Sequence, residues 1–244
     1  MSLPDLIDSL DVFFDKGMIS DVLHLVRSGK EATVYCCRGG LSTDCDLVAA
    51  KIYKPLESRS FRNDAVYHAG RVIVPRRVRV AFEKKTRFGQ RAQLGIWVES
   101  EYEALEILSA AGADVPRPIA RSDDAVLMEY LGEIGNPAPA LNRIHIERAD
   151  AVSLFRRVLA NVELFLRCDR VHGDLSPFNI LFWDGVLKII DFPQTADARS
   201  NPNARALLER DVRNVCHYFQ KFAVEAEPTR ITNQLWRRYL RAEL

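Results

Sequence analysis

Residues 171–194 read Val-His-Gly-Asp-Leu-Ser-Pro-Phe-Asn-Ile-Leu-Phe-Trp-Asp-Gly-Val-Leu-Lys-Ile-Ile-Asp-Phe-Pro-Gln, and three side chains there have the types and spacing to do chemistry together. Asp174 and Asn179 stand on one polar loop, and Asp191 closes an apolar strand after a hairpin turn at Asp184-Gly185. A carboxylate, a carboxamide and a second carboxylate on adjoining loops can hold Mg²⁺, or Mn²⁺, and orient a nucleophile, which is the equipment of phosphoryl transfer. Asp and Asn also favour turns, so an Asp-x-x-x-x-Asn alone would say little. The full string, in order and with a strand between its halves, points to catalysis.

Such a site needs elements that bind a phosphate donor. Leu47–Tyr53 reads as a strand, and Lys51 interrupts its apolar run. A lysine in a buried run is costly unless its charge is matched. The match predicted here is Glu101, on the apolar stripe of an amphipathic helix over Trp97–Ala111 with Trp97, Leu105 and Leu108. Glu99, Glu103 and Glu106 fall off that stripe, and Gly112 ends the helix. The alternative is an edge-strand lysine pointing to water. Upstream, strands Val22–Arg27 and Thr33–Cys37 flank Ser28-Gly29-Lys30-Glu31-Ala32. That loop can set backbone N–H groups and the Lys30 ammonium against phosphate oxygens. It has a single glycine, so it is neither a Walker loop nor a glycine-rich loop of the usual kind, and a plain hairpin is the alternative.

After the helix, Val115–Ile119 reads as a proline-bracketed connector and Ala125–Tyr130 as a strand. The backbone of Met128–Tyr130 can hydrogen-bond an adenine edge, with Met128 as a pocket wall or, equally, a core residue. The Pro/Gly-rich stretch 135–139 suits a hinge between two lobes. Helical periodicity predicts a short helix over 5–16 ended by Gly17, and longer ones over 147–168, 202–222 and 229–244. Asp211, inside the third, either hydrogen-bonds the catalytic loop or faces solvent. Arg71, Arg76, Arg77, Arg79, Lys84, Lys85, Arg87 and Arg91 make 70–95 strongly basic. Pro75 opens a helix in this reading and Arg87-Phe88-Gly89 ends it. The stretch is either a solvated face or a site for an anionic partner such as RNA.

The bulk numbers agree with a globular domain. The 244 residues suffice for one large domain or two small lobes, and a net charge of +1 makes any basic footprint local. No apolar run reaches the length of a membrane span. The N-terminus carries acids where a signal peptide carries bases. The five cysteines show no zinc spacing, so a cytoplasmic protein with free thiols is expected.

The sequence resembles the RIO protein kinases, atypical relatives of the eukaryotic-type kinases, from about Gly17 to Phe222. The resemblance rests on Gly-Lys-Glu-Ala-Thr-Val-Tyr at 29–35, Lys-Ile-Tyr-Lys at 51–54 and Trp-Val-Glu-Ser-Glu-Tyr-Glu-Ala-Leu at 97–105. It continues through His-Gly-Asp-Leu-Ser-Pro-Phe-Asn at 172–179, Ile-Asp-Phe-Pro-Gln at 190–194 and Arg-Asp-Val-Arg-Asn-Val at 210–215. The first two motifs look like one branch of the family, while His-Gly-Asp and Asp-Phe-Pro-Gln look like another. One branch carries an N-terminal winged-helix domain, for which this chain has no room.

The resemblance implies an α+β, bilobal protein-kinase-like fold in a single domain, 1–244. An antiparallel N-lobe sheet with helices (about 1–130) leads through a hinge (about 128–139) to a truncated, mostly helical C-lobe (about 140–244). It implies ATP and Mg²⁺ as cofactors. Asp174 would orient or deprotonate the acceptor, with Asn179 and Asp191 on the metal. Lys51, paired with Glu101, would bind phosphates, and Ser28 and Lys30 would close over the triphosphate. Met128 and Tyr130 would flank the adenine. A transient phosphoaspartate at Asp191, and ATPase activity or autophosphorylation, follow from the same resemblance. The partners implied are ATP, a protein substrate or the chain itself, and RNA or a ribosomal precursor through 71–91, with no membrane. Two other classes stay open: a small-molecule phosphotransferase of the aminoglycoside-kinase type, and an ATP-switched assembly factor.

Overall fold

In the computed structural model, residues 3–54 and 87–244 are described, with side chains from residue 8 in the first segment and from residue 94 in the second. The described residues form two compact units, one from 3–54, 87–106 and 116–137, the other from 107–115 and 138–244.

The first unit is built on an antiparallel sheet of β1 (Ile19–Ser28), β2 (Ala32–Gly39), β3 (Leu47–Tyr53), β4 (Pro118–Arg121) and β5 (Ala125–Glu129). Its order is β1-β2-β3-β5-β4, which makes β3 central. Side chains alternate between faces along a strand. Val48, Ala50 and Ile52 therefore face one way, and Ala49, Lys51 and Tyr53 the other. The first set joins Ile19, Cys37, Ala125 and Leu127 in a core covered by Leu10 and Phe13 of α1 (Leu3–Asp15). Gly17, at φ +64°, ends that helix by a turn disfavoured for residues with a Cβ. The Met18 N–H reaches back to the Phe13 carbonyl at 2.9 Å. Ser9 Oγ donates to Asp124 at 2.6 Å and ties the helix to the β4–β5 turn.

Two expectations from the sequence are corrected here. The connector Val115–Ile119 leads into a strand, β4, whose Pro118 pairs opposite Met128. Proline is tolerated there because β4 is an edge strand and the pair lies at its first position. Arg87-Phe88-Gly89 does not end a helix but opens α2 (Arg87–Ala110), which starts ten residues before the expected Trp97. A glycine inside a helix costs only about 1 kcal/mol relative to alanine, which the rest of a long helix overrides. The expected helix opening at Pro75 lies outside the described residues.

The second unit is mostly helical. It contains α3 (Arg148–Arg167), α4 (Ala204–Gln220) and α5 (Pro228–Leu240), close to the expected ranges. Val158, Val162, Val212, Phe165 and Phe219 are buried between them. Phe155 meets Phe219 edge-on at 5.5 Å, and Phe165 meets Phe192 at 5.7 Å. After β6 (Gly132–Glu133) and β7 (Asn136–Pro137), which pair within the first unit, two short ladders and one bridge carry the loops of the second: β8 (Arg170–Val171) with β11 (Ala196–Asp197), β9 (Ile180–Trp183) with β10 (Val186–Ile189), and Ala140 bridged to Leu181.

Phe13 is 1% exposed beneath the sheet. Phe13→Ala is expected to lower unfolding stability by about 3–5 kcal/mol, read as a lower midpoint in urea with an unchanged slope.

Candidate active site

The β9–β10 hairpin acts as a ruler. Asp184 (φ 46°) and Gly185 (φ 77°) form its two-residue turn, with the positive φ angles that the type I′ geometry needs. The register Trp183↔Val186 to Ile180↔Ile189 then returns the chain beside its starting point. Asn179 and Ile190 are therefore neighbours, and the Ile190 N–H donates to the Asn179 carbonyl at 2.9 Å. Asp191 follows at once. The β8–β11 ladder performs the same service at the other ends of these two loops, pairing Val171 with Ala196.

Within the first loop, Asn179 Nδ2 donates to the Asp174 carbonyl at 3.0 Å. That bond assigns the amide nitrogen and turns Oδ1 away from the carbonyl. His172 is 2% exposed and joins both loops. Its Nδ1 accepts the Asp174 N–H at 3.2 Å, and its Nε2 lies 3.1 Å from the Ile190 carbonyl. An acceptor at Nδ1 and a donor at Nε2 describe one neutral tautomer. The ring rests on Phe192 at 4.7 Å. Asp191 has φ 76°, a left-handed conformation unusual for a residue with a Cβ. It is held there between buried Ile189 and Phe192, both 0% exposed.

Beneath the loop sits Asp211 of α4, 2% exposed. Its two oxygens accept the N–H groups of Gly173 at 2.7 Å and Leu175 at 2.9 Å. Asn214, one turn later on α4, donates to the Leu175 carbonyl at 3.0 Å. Of the two readings of Asp211, the structure selects the loop anchor. Burial pushes its carboxyl up to about 7, with the two amide bonds and the Arg210 charge pulling the other way. Burial also raises the Asp174 carboxyl, and the nearby Asp191 charge adds to the rise, while Arg210 and the Asn179 carboxamide oppose it.

In the first unit, Lys51 Nζ donates to Glu101 Oε1 at 2.7 Å, with side chains only 11% and 1% exposed. The central place of β3 overturns the edge-strand alternative. The Tyr53 hydroxyl bonds the other Glu101 oxygen. Glu99, Glu103 and Glu106 are exposed, as their positions off the stripe predict. The Ser28–Ala32 loop is a closed turn, with Gly29 N–H donating to the Ala32 carbonyl at 2.9 Å. Ser28 Oγ lies 3.3 Å from Thr33 Oγ1, and Lys30 is exposed at the tip. Met128 is buried at 7% exposure in β5, opposite Ala49 and Pro118. The Tyr130 hydroxyl donates to the Glu133 carbonyl at 3.1 Å, and His24 meets the Tyr130 ring edge-on.

Comparison with known proteins identifies relatives of this chain. The RIO domain family profile matches residues 33–231. The chain belongs to the RIO family. It is 33% identical over 203 residues to the RIO-type serine/threonine-protein kinase Rio1 of Haloferax volcanii, covering 83% of this chain and 64% of that protein. It is 32% identical over 210 residues to the serine/threonine-protein kinase RIO1 of Caenorhabditis elegans, covering 86% of this chain and 39% of that one. This chain thus spans between about two fifths and two thirds of the length of these relatives. The Chaetomium thermophilum Rio2 kinase–ADP/Mg²⁺–phosphoaspartate complex superimposes with a TM-score of 0.69 at 20% identity, over 92% of this chain and 64% of that one. At that identity the likeness is one of fold, and the fold is α+β and kinase-like.

In this RIO domain the residues singled out in the sequence fall into two groups. Ser28, Lys30, Lys51, Glu101, Met128 and Tyr130 belong to the first unit, and Asp174, Asn179 and Asp191 to the second. Residues 71–86 of the basic stretch lie outside the described residues, and the side chains of Arg87 and Arg91 are not described. Sequence reasoning missed Tyr53, His172 and Lys54. Tyr53 shares a face with Lys51 by simple alternation, a signal available beforehand. His172 and Lys54 lie inside quoted motifs, but nothing in their spacing marks a partner. Among the described residues, no cluster of three or more His, Cys, Asp or Glu side chains can hold a metal by itself. An Asn oxygen and one carboxylate nonetheless suit Mg²⁺, which takes few protein oxygens and completes its shell with water and phosphate.

Asp211→Asn leaves one of two loop amides without its acceptor, and is expected to cost about 1–3 kcal/mol of stability at pH 5. A carboxyl raised by folding contributes most below the unfolded pKa and loses that contribution as pH rises through the folded one. The wild-type margin over Asp211→Asn should therefore narrow from about pH 4 to about pH 7, measured by urea unfolding across that range.

Proposed function

We propose that this RIO domain is an ATP- and Mg²⁺-dependent serine/threonine protein kinase that phosphorylates itself or one docked protein. The reading rests on one observation above all. Asn179 bonds the Asp174 carbonyl through its side chain and Ile190 through its backbone, so one catalytic carboxylate and two oxygen ligands share a frame. Mg²⁺ or Mn²⁺, held by Asn179 and Asp191, would neutralise charge on the phosphate oxygens. Asp174 accepts a hydrogen bond from the acceptor hydroxyl and aligns its oxygen with the γ-phosphorus. The new P–O bond forms as the bond to the β-phosphate oxygen breaks, ADP leaves, and Asp174 takes the hydroxyl proton. Lys51, its ammonium set by Glu101, binds phosphate oxygens, and Ser28 and Lys30 cover them. The β5 end, Met128 to Tyr130, takes the adenine edge.

Asp191 itself is the second acceptor. Attack of its carboxylate oxygen on the γ-phosphorus expels ADP and leaves an acyl phosphate, which water hydrolyses, so the net reaction is ATP hydrolysis. The Chaetomium Rio2 complex with ADP, Mg²⁺ and phosphoaspartate supports this route. The basic run 71–91 supports RNA or a ribosomal precursor as a partner.

Incubation with γ-labelled ATP and Mg²⁺ tests the proposal. Asp174→Ala should reduce label transfer to Ser or Thr about 10²–10⁴-fold. Label on Asp191 should be lost in base and absent from Asp191→Asn. Wild-type protein that binds no ATP overturns the kinase and ATPase readings together.

A further inference from the structure

Lys54 stands at the end of the central strand, and none of the roles assigned above uses it. Its backbone N–H donates to the Glu31 carbonyl at 2.8 Å, which fixes β3 to the turn. Its ammonium then crosses β2 and donates to the Gly29 carbonyl at 2.7 Å and to Ser28 Oγ at 3.0 Å. Neighbouring strands lie about 4.8 Å apart, so this link spans about 9–10 Å of sheet, a distance only a long side chain bridges. One lysine thus fastens the ends of β1, β2 and β3 to the same turn. Within the tip itself, the Gly29–Ala32 bond and the Ser28–Thr33 hydroxyl contact also close the turn.

The chemistry of the link matters as much as its reach. An ammonium carries three donors and no acceptor. Two of the three are spent on Gly29 and Ser28. Because Ser28 Oγ accepts from Lys54, its own O–H is left to donate, either to Thr33 or to an anion over the turn. The Gly29 carbonyl, which would repel a phosphate oxygen, is neutralised by the ammonium bound to it. The Ser28 hydroxyl and the exposed Lys30 ammonium therefore remain as donors on the turn.

We infer that Lys54 is a positioning residue that holds the Ser28–Ala32 turn in its phosphate-binding shape, and through Lys30 and Ser28 sets affinity for the terminal phosphate of a nucleoside triphosphate. The inference rests on the ATP reading above. It makes three separable demands. Losing the donors should weaken a triphosphate more than a diphosphate. Arginine, which reaches as far and also donates, should rescue. The effects of Lys54 and Lys30 should be coupled rather than independent.

Calorimetric titration of the full chain with Mg·ATP and Mg·ADP tests all three. Lys54→Met, which keeps the apolar stem, should weaken Mg·ATP binding about 10–100-fold, the size of one charge-assisted hydrogen bond, and change Mg·ADP binding less than about 2-fold. Lys54→Arg should stay within about 3-fold of wild type. The double variant Lys54→Met/Lys30→Met should lose less Mg·ATP affinity than the product of the two single losses, the non-additivity expected of coupled residues. Equal losses for both nucleotides, failure of arginine to rescue, or additive losses would each overturn the inference. Wild-type binding with an unaffected Lys54→Met overturns this inference alone. Wild-type protein that binds neither nucleotide overturns the ATP reading and this inference with it.

Discussion

Two hydrogen bonds to one buried carboxyl hold the loop that carries Asp174 in place. Asp211 accepts from Gly173 and Leu175, on either side of Asp174, so the backbone bearing the Asp174 carboxylate is fixed from below. Main-chain N–H groups in a buried loop must find acceptors or cost folding free energy. A carboxyl is the compact side chain that can serve two at once. Asn214 takes the Leu175 carbonyl on the same helix face, so α4 satisfies donors and acceptor together. The helix thereby converts a flexible polar loop into a rigid shelf.

Rigidity at that shelf has an electrostatic purpose. Asp174 lies close enough to feel the charge of Asp191, and Asp211 that of Asp174, while burial already disfavours ionisation of Asp174 and Asp211. Such crowding is unfavourable for folding alone. Arg210 offsets part of it, and a bound divalent cation with phosphate contacts would offset more. The neutral tautomer of His172 adds a link between the two loops without adding charge, because each of its ring nitrogens meets a backbone partner of the opposite kind.

The first unit solves a related problem in the opposite sign. Lys51 lies in the middle of a five-stranded sheet, where an ammonium needs a carboxylate. Glu101 meets it from α2, and Tyr53 occupies the second oxygen so that the carboxylate has one orientation. The opposite face of the same strand is wholly apolar and lies under α1. One strand therefore carries both the core and the charged pair, separated only by the alternation of side chains.

Much of this was legible in the chain. Strand alternation placed Lys51 apart from Val48, Ala50 and Ile52. Helical spacing singled out Glu101 from its three acidic neighbours, and the Asp-Gly turn with its flanking strands put Asp191 near Asn179. These features depend on residues close in sequence, whose geometry the backbone period sets. The edge strand at Pro118 and the early start of α2 were not legible, since a proline and a glycine read locally as breaks while pairing and helix length override them. Nor could spacing decide whether Asp211 faces solvent or the loop 38 residues before it, or that Lys54 reaches Ser28, 26 residues back. The sequence by itself determined which residue types are available and which local face each occupies. Tertiary structure alone decided which distant faces meet, because that depends on helix rotation and strand register, which packing of the whole core sets.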